Sequence, residues 1–330
     1  MEGLMPVLEV RNLKTSFFTR AGVIPAVNNV SFSIKKEESL ALVGESGCGK
    51  SVTALSILGL IPSPPGRVVG GEILLSGRDL LKMSYKELRA IRGKDISMIF
   101  QEPMTSLNPV LRVGYQITEV ILAHENVAWQ NAYNRSLDLL KLVGIPDAGR
   151  CMREYPHRLS GGMRQRVMTA MAAACNPVVL IADEPTTALD VTIQAQVLRL
   201  LRRLKNELGM ALLLITHDMG VVAETADKVI VMYAGNKVEQ GSTAQIFERP
   251  LHPYTTGLLE AIPRINQKQN YRNYSLREIK GGLPSLLHMP RGCSFAPRCP
   301  RAIEKCQIEI PTLISANTEQ EVACFNINGS

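Results

Sequence analysis

The stretch Ser39 to Leu60 decides how this chain is read. An apolar run, Ser39-Leu40-Ala41-Leu42-Val43, leads into Gly44-Glu45-Ser46-Gly47-Cys48-Gly49-Lys50-Ser51, and residues from about Lys50 to Leu60 continue with helical spacing. Strand, glycine-rich loop, helix is the context in which the pattern G-x-x-x-x-G-K-[ST] binds nucleotide phosphates. The glycines let successive backbone N–H groups wrap an anion. The helix start at Lys50 to Val52 adds a favourable partial charge. Lys50 would reach the β- and γ-phosphates and Ser51 would ligate Mg²⁺. Cys48, at a variable position of the loop, reads as incidental.

Downstream, Val178 to Ala182 is a second apolar strand, and it ends in Asp183-Glu184. A carboxylate at the carboxyl end of a parallel strand faces the ligand crevice. There Asp183 can hold the Mg²⁺ shell while Glu184 polarises an attacking water. A third strand, Ala211 to Ile215, ends just before His217, within reach of a γ-phosphate. Strands are also expected at 7–10, 26–34, 72–75 and 96–100, with a turn-prone stretch between the first two. From about 103 to 159 the signal turns helical, at Val113 to His124 and Tyr133 to Val143, as for a helical insert in an α/β domain. Helices at 162–174 and 192–208 alternate with the later strands. Alternating β and α with continuous apolar strands predicts a mainly parallel sheet covered on both faces. A short strand pair, 228–232 and 236–240, closes this core near residue 250.

Composition excludes several classes. The chain has 330 residues, 45% hydrophobic and 20% charged, which is ordinary globular composition with ample length for a large core. The net charge of +7 points to no particular partner. The N-terminus lacks the basic-then-apolar order of a signal peptide, and the longest uncharged run, Val167 to Ala182, is too short for a membrane span. A soluble, cytoplasmic chain able to sit against a membrane protein is the expectation.

Leu159-Ser160-Gly161-Gly162-Met163-Arg164-Gln165-Arg166 adds a far more specific signal. Ser160 and two glycines at a helix start form a second anion-binding end. This stretch resembles the signature of the ABC ATPases, and it lies between the helical insert and the Asp183-Glu184 strand, as that family requires. The resemblance implies a P-loop ABC ATPase fold, a mainly parallel sheet with an antiparallel β layer and a helical subdomain (about 103–165). It implies that Ser160, Gly161 and Gly162 reach the γ-phosphate bound by an opposite subunit. It makes Gln101 the Q-loop residue near Mg²⁺, Ala188-Leu189-Asp190 the D-loop, His217 the switch histidine, and Phe17 the ring that stacks on adenine, with Phe18 as competitor. Residues 102–108 would help receive a coupling helix. Met163 departs from the glutamine common at that position, without removing a phosphate contact.

Three further stretches resemble the ATP-binding subunits of oligopeptide, dipeptide and nickel importers. They are Tyr155-Pro156-His157; Pro250 to Thr255 with Leu258 to Pro263; and Gly292-Cys293-Ser294-Phe295-Ala296-Pro297-Arg298-Cys299-Pro300. The last belongs to a loop-rich tail, after a polar stretch, Asn266 to Tyr274, read as a linker. Four of the seven cysteines lie in the tail: Cys293, Cys299, Cys306 and Cys324. Their spacing lacks the short pairs of zinc sites and suits an iron–sulfur cluster better; the resemblance also implies a [4Fe–4S] cluster, with zinc or no metal as alternatives. Cys151 and Cys175 read as small hydrophobes. The tail has too few apolar residues for a core of its own, so residues 251–330 read as an appended metal-stapled domain after an ATPase domain of residues 1–250.

The function expected is ATP hydrolysis that powers import of di- or oligopeptides, with ATP and Mg²⁺ as ligands. The implied partners are a second, different ATPase subunit, two transmembrane permease subunits and an extracytoplasmic peptide-binding protein, at the cytoplasmic face of the membrane, with no nucleic acid. A nickel importer is one alternative. A soluble ABC ATPase acting on DNA or ribosomes is another, disfavoured because only 58 positions separate Gln101 from Leu159, too few for an inserted coiled coil. A role centred on the cysteine tail, in cluster assembly or electron transfer, is a third.

Overall fold

The computed structural model describes residues 5–101, 106–187, 190–262, 279–317 and 320–327. The expected linker at 266–274, Ala188 and Leu189 of the expected D-loop, and Glu102 to Thr105 of the expected coupling groove lie outside these ranges. The strands are β1 (Leu8–Thr19), β2 (Gly22–Ile34), β3 (Ser39–Val43), β4 (Gly66–Leu75), β5 (Arg78–Asp79), β6 (Ile96–Ile99), β7 (Val179–Asp183), β8 (Ala211–Thr216), β9 (Lys228–Tyr233), β10 (Asn236–Ser242), β11 (Ile314–Ser315) and β12 (Glu321–Val322).

A four-stranded sheet in the order β2-β1-β4-β5 forms the antiparallel layer, β4 pairing β5 antiparallel. The sequence places a turn-prone stretch after Val10. Instead β1 runs on to Thr19 and turns at Arg20-Ala21 into β2. The misleading signal is Asn12. It takes a positive φ within the strand, which asparagine tolerates, and its N–H bonds to the Ser31 hydroxyl at 2.7 Å, so the strand continues past it.

The chain divides into two compact units. One comprises residues 1–9, 33–39 and 74–215. Its three parallel strands stand in the order β8-β7-β6, with Ile96 beside Val179 and Val179 beside Ala211. Every residue of β7 and β8 is buried, as continuous apolar strands of a doubly covered sheet must be. Among the described residues of this unit, a short helix, Tyr85–Ile91, precedes β6; four helices, Val113–His124, Trp129–Leu142, Ala148–Cys151 and Gly161–Ala173, run between β6 and β7, and Val191–Leu208 lies between β7 and β8. Val113–His124 coincides with its expected bounds; Trp129–Leu142 starts four residues before Tyr133. Thr118 and Ser136 hydroxyls meet at 3.0 Å inside this helical layer. Arg135 joins Glu125 to the Ala174 carbonyl (2.8 Å), and Arg166 bonds the Val143 carbonyl at 2.7 Å, so two guanidiniums tie the turns between helices together.

The other unit comprises residues 10–32, 40–73 and 216–330. Here β3 lies parallel to β9, with Leu40 beside Lys228 and Val43 beside Val231. Next to β9 comes antiparallel β10, and the tail strands β12 and β11 extend the same sheet beyond it. The tail therefore docks by strand addition, with the Ala323 N–H on the Val238 carbonyl at 2.8 Å. Its apolar residues join a core already present. Phe295, 2% exposed, packs among Val43, Val231, Tyr233 and Tyr254. The ring centroids of Phe295 and Tyr233 are 5.1 Å apart, those of Phe295 and Tyr254 5.4 Å. The shortage of apolar residues in the tail is thus met by a shared core.

Candidate functional site

The expected nucleotide-binding residues fall in both compact units. In the unit holding residues 40–73, the phosphate loop runs from buried β3 into the helix Lys50–Ile57. Gly44, Gly47 and Gly49 all have positive φ, at 151°, 83° and 105°. A side chain on Gly49 would also collide with the Ala26 carbonyl, and one on Gly44 with that of Met232. These positions require glycine for backbone conformation and for space. Ser46 and Gly47 are exposed at the loop's crest. The Lys50 ammonium is buried and folds back onto the loop, donating to the Gly44 carbonyl at 2.8 Å and the Glu45 carbonyl at 3.0 Å. Cys48 is packed inside the loop. Its side chain is fully buried, its sulfur lies 3.7 Å from the Lys50 nitrogen, and burial pushes its thiol pKa up. Ser51 and Val52 are partly exposed on the first turn of the helix.

Phe17 is half-buried: an added Cβ on Gly66 would press on both the Phe17 ring and Ile61. Phe18 is 46% exposed and carries the Arg67 guanidinium over its ring at 5.2 Å. Neither is a core phenylalanine. His217 is exposed between Thr216, which ends β8, and Asp218, which caps the helix Met219–Thr225 by accepting the Gly220 N–H at 2.8 Å.

In the unit holding residues 74–215, Asp183 is buried at the end of β7. The next residue, Glu184, has φ 45°, a left-handed conformation that residues bearing a Cβ seldom adopt. Its N–H bonds to the Ile215 carbonyl at 2.9 Å, which fixes the turn. Its carboxylate accepts the Gln101 amide at 2.8 Å and the Thr187 hydroxyl at 2.9 Å. The fold thus brings Gln101, at the end of β6, to Glu184, at the end of β7. Ser160 caps the helix Gly161–Ala173 by accepting the Met163 N–H at 3.3 Å. Ser160 and Gly161 are exposed, and a side chain on Gly161 would meet open space. Gly162 faces inward, where a Cβ would come within 3.1 Å of Ile193 on the helix that Asp190 caps.

Comparison with known proteins decides the family. The ABC transporter family model matches residues 27–187, and the model for the oligopeptide/dipeptide transporter C-terminal region matches residues 238–306. The oligopeptide transport ATP-binding protein AppD of Bacillus subtilis is 54% identical over 97% of this chain and 96% of its own length. The dipeptide transport ATP-binding protein DppD of the same organism is 50% identical, over 97% of this chain and 94% of that protein. This chain is an oligopeptide/dipeptide-type ATP-binding subunit of the ABC transporters. Among solved structures, the dimeric cassette MJ0796 bound to ADP and phosphate is similar with a TM-score of 0.64 and 27% identity, over 72% of this chain and 98% of that one. The subunit accordingly has the ABC ATPase fold, with parallel strands, an antiparallel layer and a helical subdomain, and it is an ATPase.

Among the described residues of the subunit no helix is long and apolar enough to cross a membrane. Nor do three His, Cys, Asp or Glu side chains gather there as a group able to hold one metal ion. Neither the zinc alternative nor the iron–sulfur expectation at Cys293, Cys299, Cys306 and Cys324 gains support from this arrangement. The four thiols are free, and those of Cys293, Cys299 and Cys324 are raised chiefly by burial, with the neighbouring thiols adding to the effect. Sequence reading missed the other side of the phosphate loop. Tyr254 and Arg298, more than 200 positions away, both bond Glu45. Arg298 stood inside a quoted stretch, but nothing local in Pro297-Arg298-Cys299 indicates its partner.

Proposed function

We propose that this subunit drives import of di- or oligopeptides by ATP binding and hydrolysis at the cytoplasmic face of a membrane. The observation that supports this cargo is the continuous likeness, loop to tail, to peptide-transport ATP-binding proteins, including the oligopeptide protein OppD of Salmonella typhimurium at 47% identity over 97% of this chain and 93% of that protein. Two permease subunits, a peptide-binding protein and a second, different ATPase subunit complete the assembly in this reading.

Each residue's role follows from its setting. Lys50 exchanges the loop carbonyls for phosphate oxygens, at little cost because its ammonium is already desolvated. The loop N–H groups and the helix start at Lys50 bind the phosphates. The carboxylate of Glu184, aimed by Gln101 and Thr187, takes the proton of the attacking water. Ser51, Gln101 and Asp183 would hold Mg²⁺, whose charge offsets that of the phosphates. His217 contacts the γ-phosphate, and Phe17 offers its half-exposed ring to adenine. The exposed helix start at Ser160, Gly161 and Gly162 completes the opposite subunit's site, with Asp190 at the same interface. In the tail, Cys293, Cys299, Cys306 and Cys324 hold an iron–sulfur cluster. Thiolates around four irons stand further apart than ligands of a single ion, so the lack of a compact ligand group is compatible with it.

The test is peptide uptake by cells whose only copy of the subunit carries Glu184→Gln. General-base loss slows hydrolysis by about 10²- to 10⁴-fold, so ATP stays bound and uptake of labelled di- and tripeptides stops. Uptake at the normal rate with the variant present and folded would refute the reading.

A further inference from the structure

The surroundings of Glu45 raise a charge question. Its carboxylate belongs to the loop that must receive the most anionic part of ATP, and it sits immediately after Gly44. Left alone, a carboxylate there would repel phosphates. It is covered by a residue from the tail. The Arg298 guanidinium grips both carboxylate oxygens, at 2.7 and 2.9 Å. The same guanidinium donates to the Tyr233 hydroxyl at 3.3 Å, the Lys280 carbonyl at 3.0 Å and the Ile279 carbonyl at 3.1 Å. All five of its N–H donors are thereby used, and its side chain is only 6% exposed. Such a fork holds one geometry, which a lysine could not reproduce. The backbone of Glu45 is held as well. Its N–H donates to the Tyr254 hydroxyl at 2.8 Å, and its carbonyl accepts the Lys50 ammonium at 3.0 Å.

We infer that Arg298 is a positioning residue of the ATP site: it cancels the charge of Glu45 and holds that carboxylate turned away from the phosphates, which makes the cysteine-bearing tail a working part of the phosphate loop. Arg298 spends its donors on protein oxygens. It acts through Glu45, and its neighbour Cys299 packs against the core that also holds Tyr233, Tyr254 and Phe295. Disturbance of the tail is therefore felt at the loop as a freed negative charge.

The inference rests on this loop being the ATP phosphate site, so ATP binding by the unaltered full-length chain is the control. Failure there overturns the site reading and this inference together, whereas failure in the variants alone overturns only the inference. Equilibrium binding of ATP with Mg²⁺ is measured on the purified full-length chain, alongside its melting temperature without nucleotide. Arg298→Ala is expected to raise the Kd for ATP about tenfold or more, the size of effect of one uncompensated nearby charge. Adding Glu45→Gln to Arg298→Ala removes that charge and is expected to restore the Kd to within about threefold of the original. A purely structural role predicts no such rescue, so a double variant as weak as Arg298→Ala overturns the inference, as does an unchanged Kd in Arg298→Ala. Should Arg298→Ala fail to fold, Arg298→Lys and Arg298→Gln replace it. Tighter ATP binding by the lysine variant, by about fivefold or more, supports the inference, and equal affinities overturn it.

Discussion

Removal of one tail side chain should destabilise the unit that holds the phosphate loop. Phe295 is 2% exposed, with rings at 5.1 Å (Tyr233), 5.4 Å (Tyr254) and 5.6 Å (His252). Truncating a buried phenylalanine to alanine costs about 3–5 kcal/mol in lost transfer energy and cavity. Because each aromatic pair adds about 0.5–1.5 kcal/mol and three rings line this cavity, Phe295→Ala should fall in the upper half of that range, about 4–5 kcal/mol. Phe295→Leu retains most of the apolar volume and loses mainly the ring contacts, so about 1.5–2 kcal/mol is expected. The assay is urea unfolding of the full-length chain, followed by far-ultraviolet circular dichroism and, in parallel, by ATP binding. Both signals from the loop-bearing unit should shift to lower urea together, alanine far more than leucine. If Phe295→Ala left the transition that abolishes ATP binding in place and created a separate small early transition, the tail would be an independently cored domain. The shared-core argument would then be wrong.

Two other outcomes follow from particular groups. His252 is buried and neutral, its pKa pushed down to about 4 by desolvation, and its Nδ1 accepts the Tyr254 N–H at 3.1 Å. The unfolded chain protonates this group near pH 6.5 and the folded one does not, so its contribution is full above that pH and lost as pH falls towards 4. The loss amounts to about 3 kcal/mol at most. His252→Asn keeps an acceptor for that N–H without titrating in this window, so urea midpoints of the variant should fall less between pH 7 and 5 than those of the original; parallel curves would refute the assignment. For the tail thiols, iron and acid-labile sulfide assayed on protein purified without oxygen should give about four of each per chain, and chelation should remove them with loss of visible absorbance. One zinc per chain, or no metal, would refute the cluster.

Much of the local geometry at the candidate site residues was legible because it is set by near neighbours in the chain. Gly44 to Ser51 carries its conformation in its own glycines: all three have positive φ angles, and Gly44 and Gly49 are also too crowded for a side chain. Asp183 and Glu184 announce themselves as acids ending an apolar strand, and Ser160 as a cap before a helix. Helix bounds at Val113 to His124 could be read because amphipathic spacing repeats within the element. The stretch after Val10 misled for the converse reason: Asn12, a polar residue of turn type, takes its positive φ inside a strand, held by the Ser31 hydroxyl of the neighbouring strand.

What the sequence by itself determined is therefore the phosphate loop, the strand-end acids, the signature helix and the family they imply. Tertiary structure alone decided that Glu45 pairs with Arg298, that Gln101 donates to Glu184, and that the tail lends its strands and Phe295 to a sheet and core of the ATPase. The physical reason is reach. Backbone conformation and periodicity are set by neighbours a few residues apart, whereas a buried charge takes whichever partner the fold delivers. Here that partner lies 253 positions along the chain.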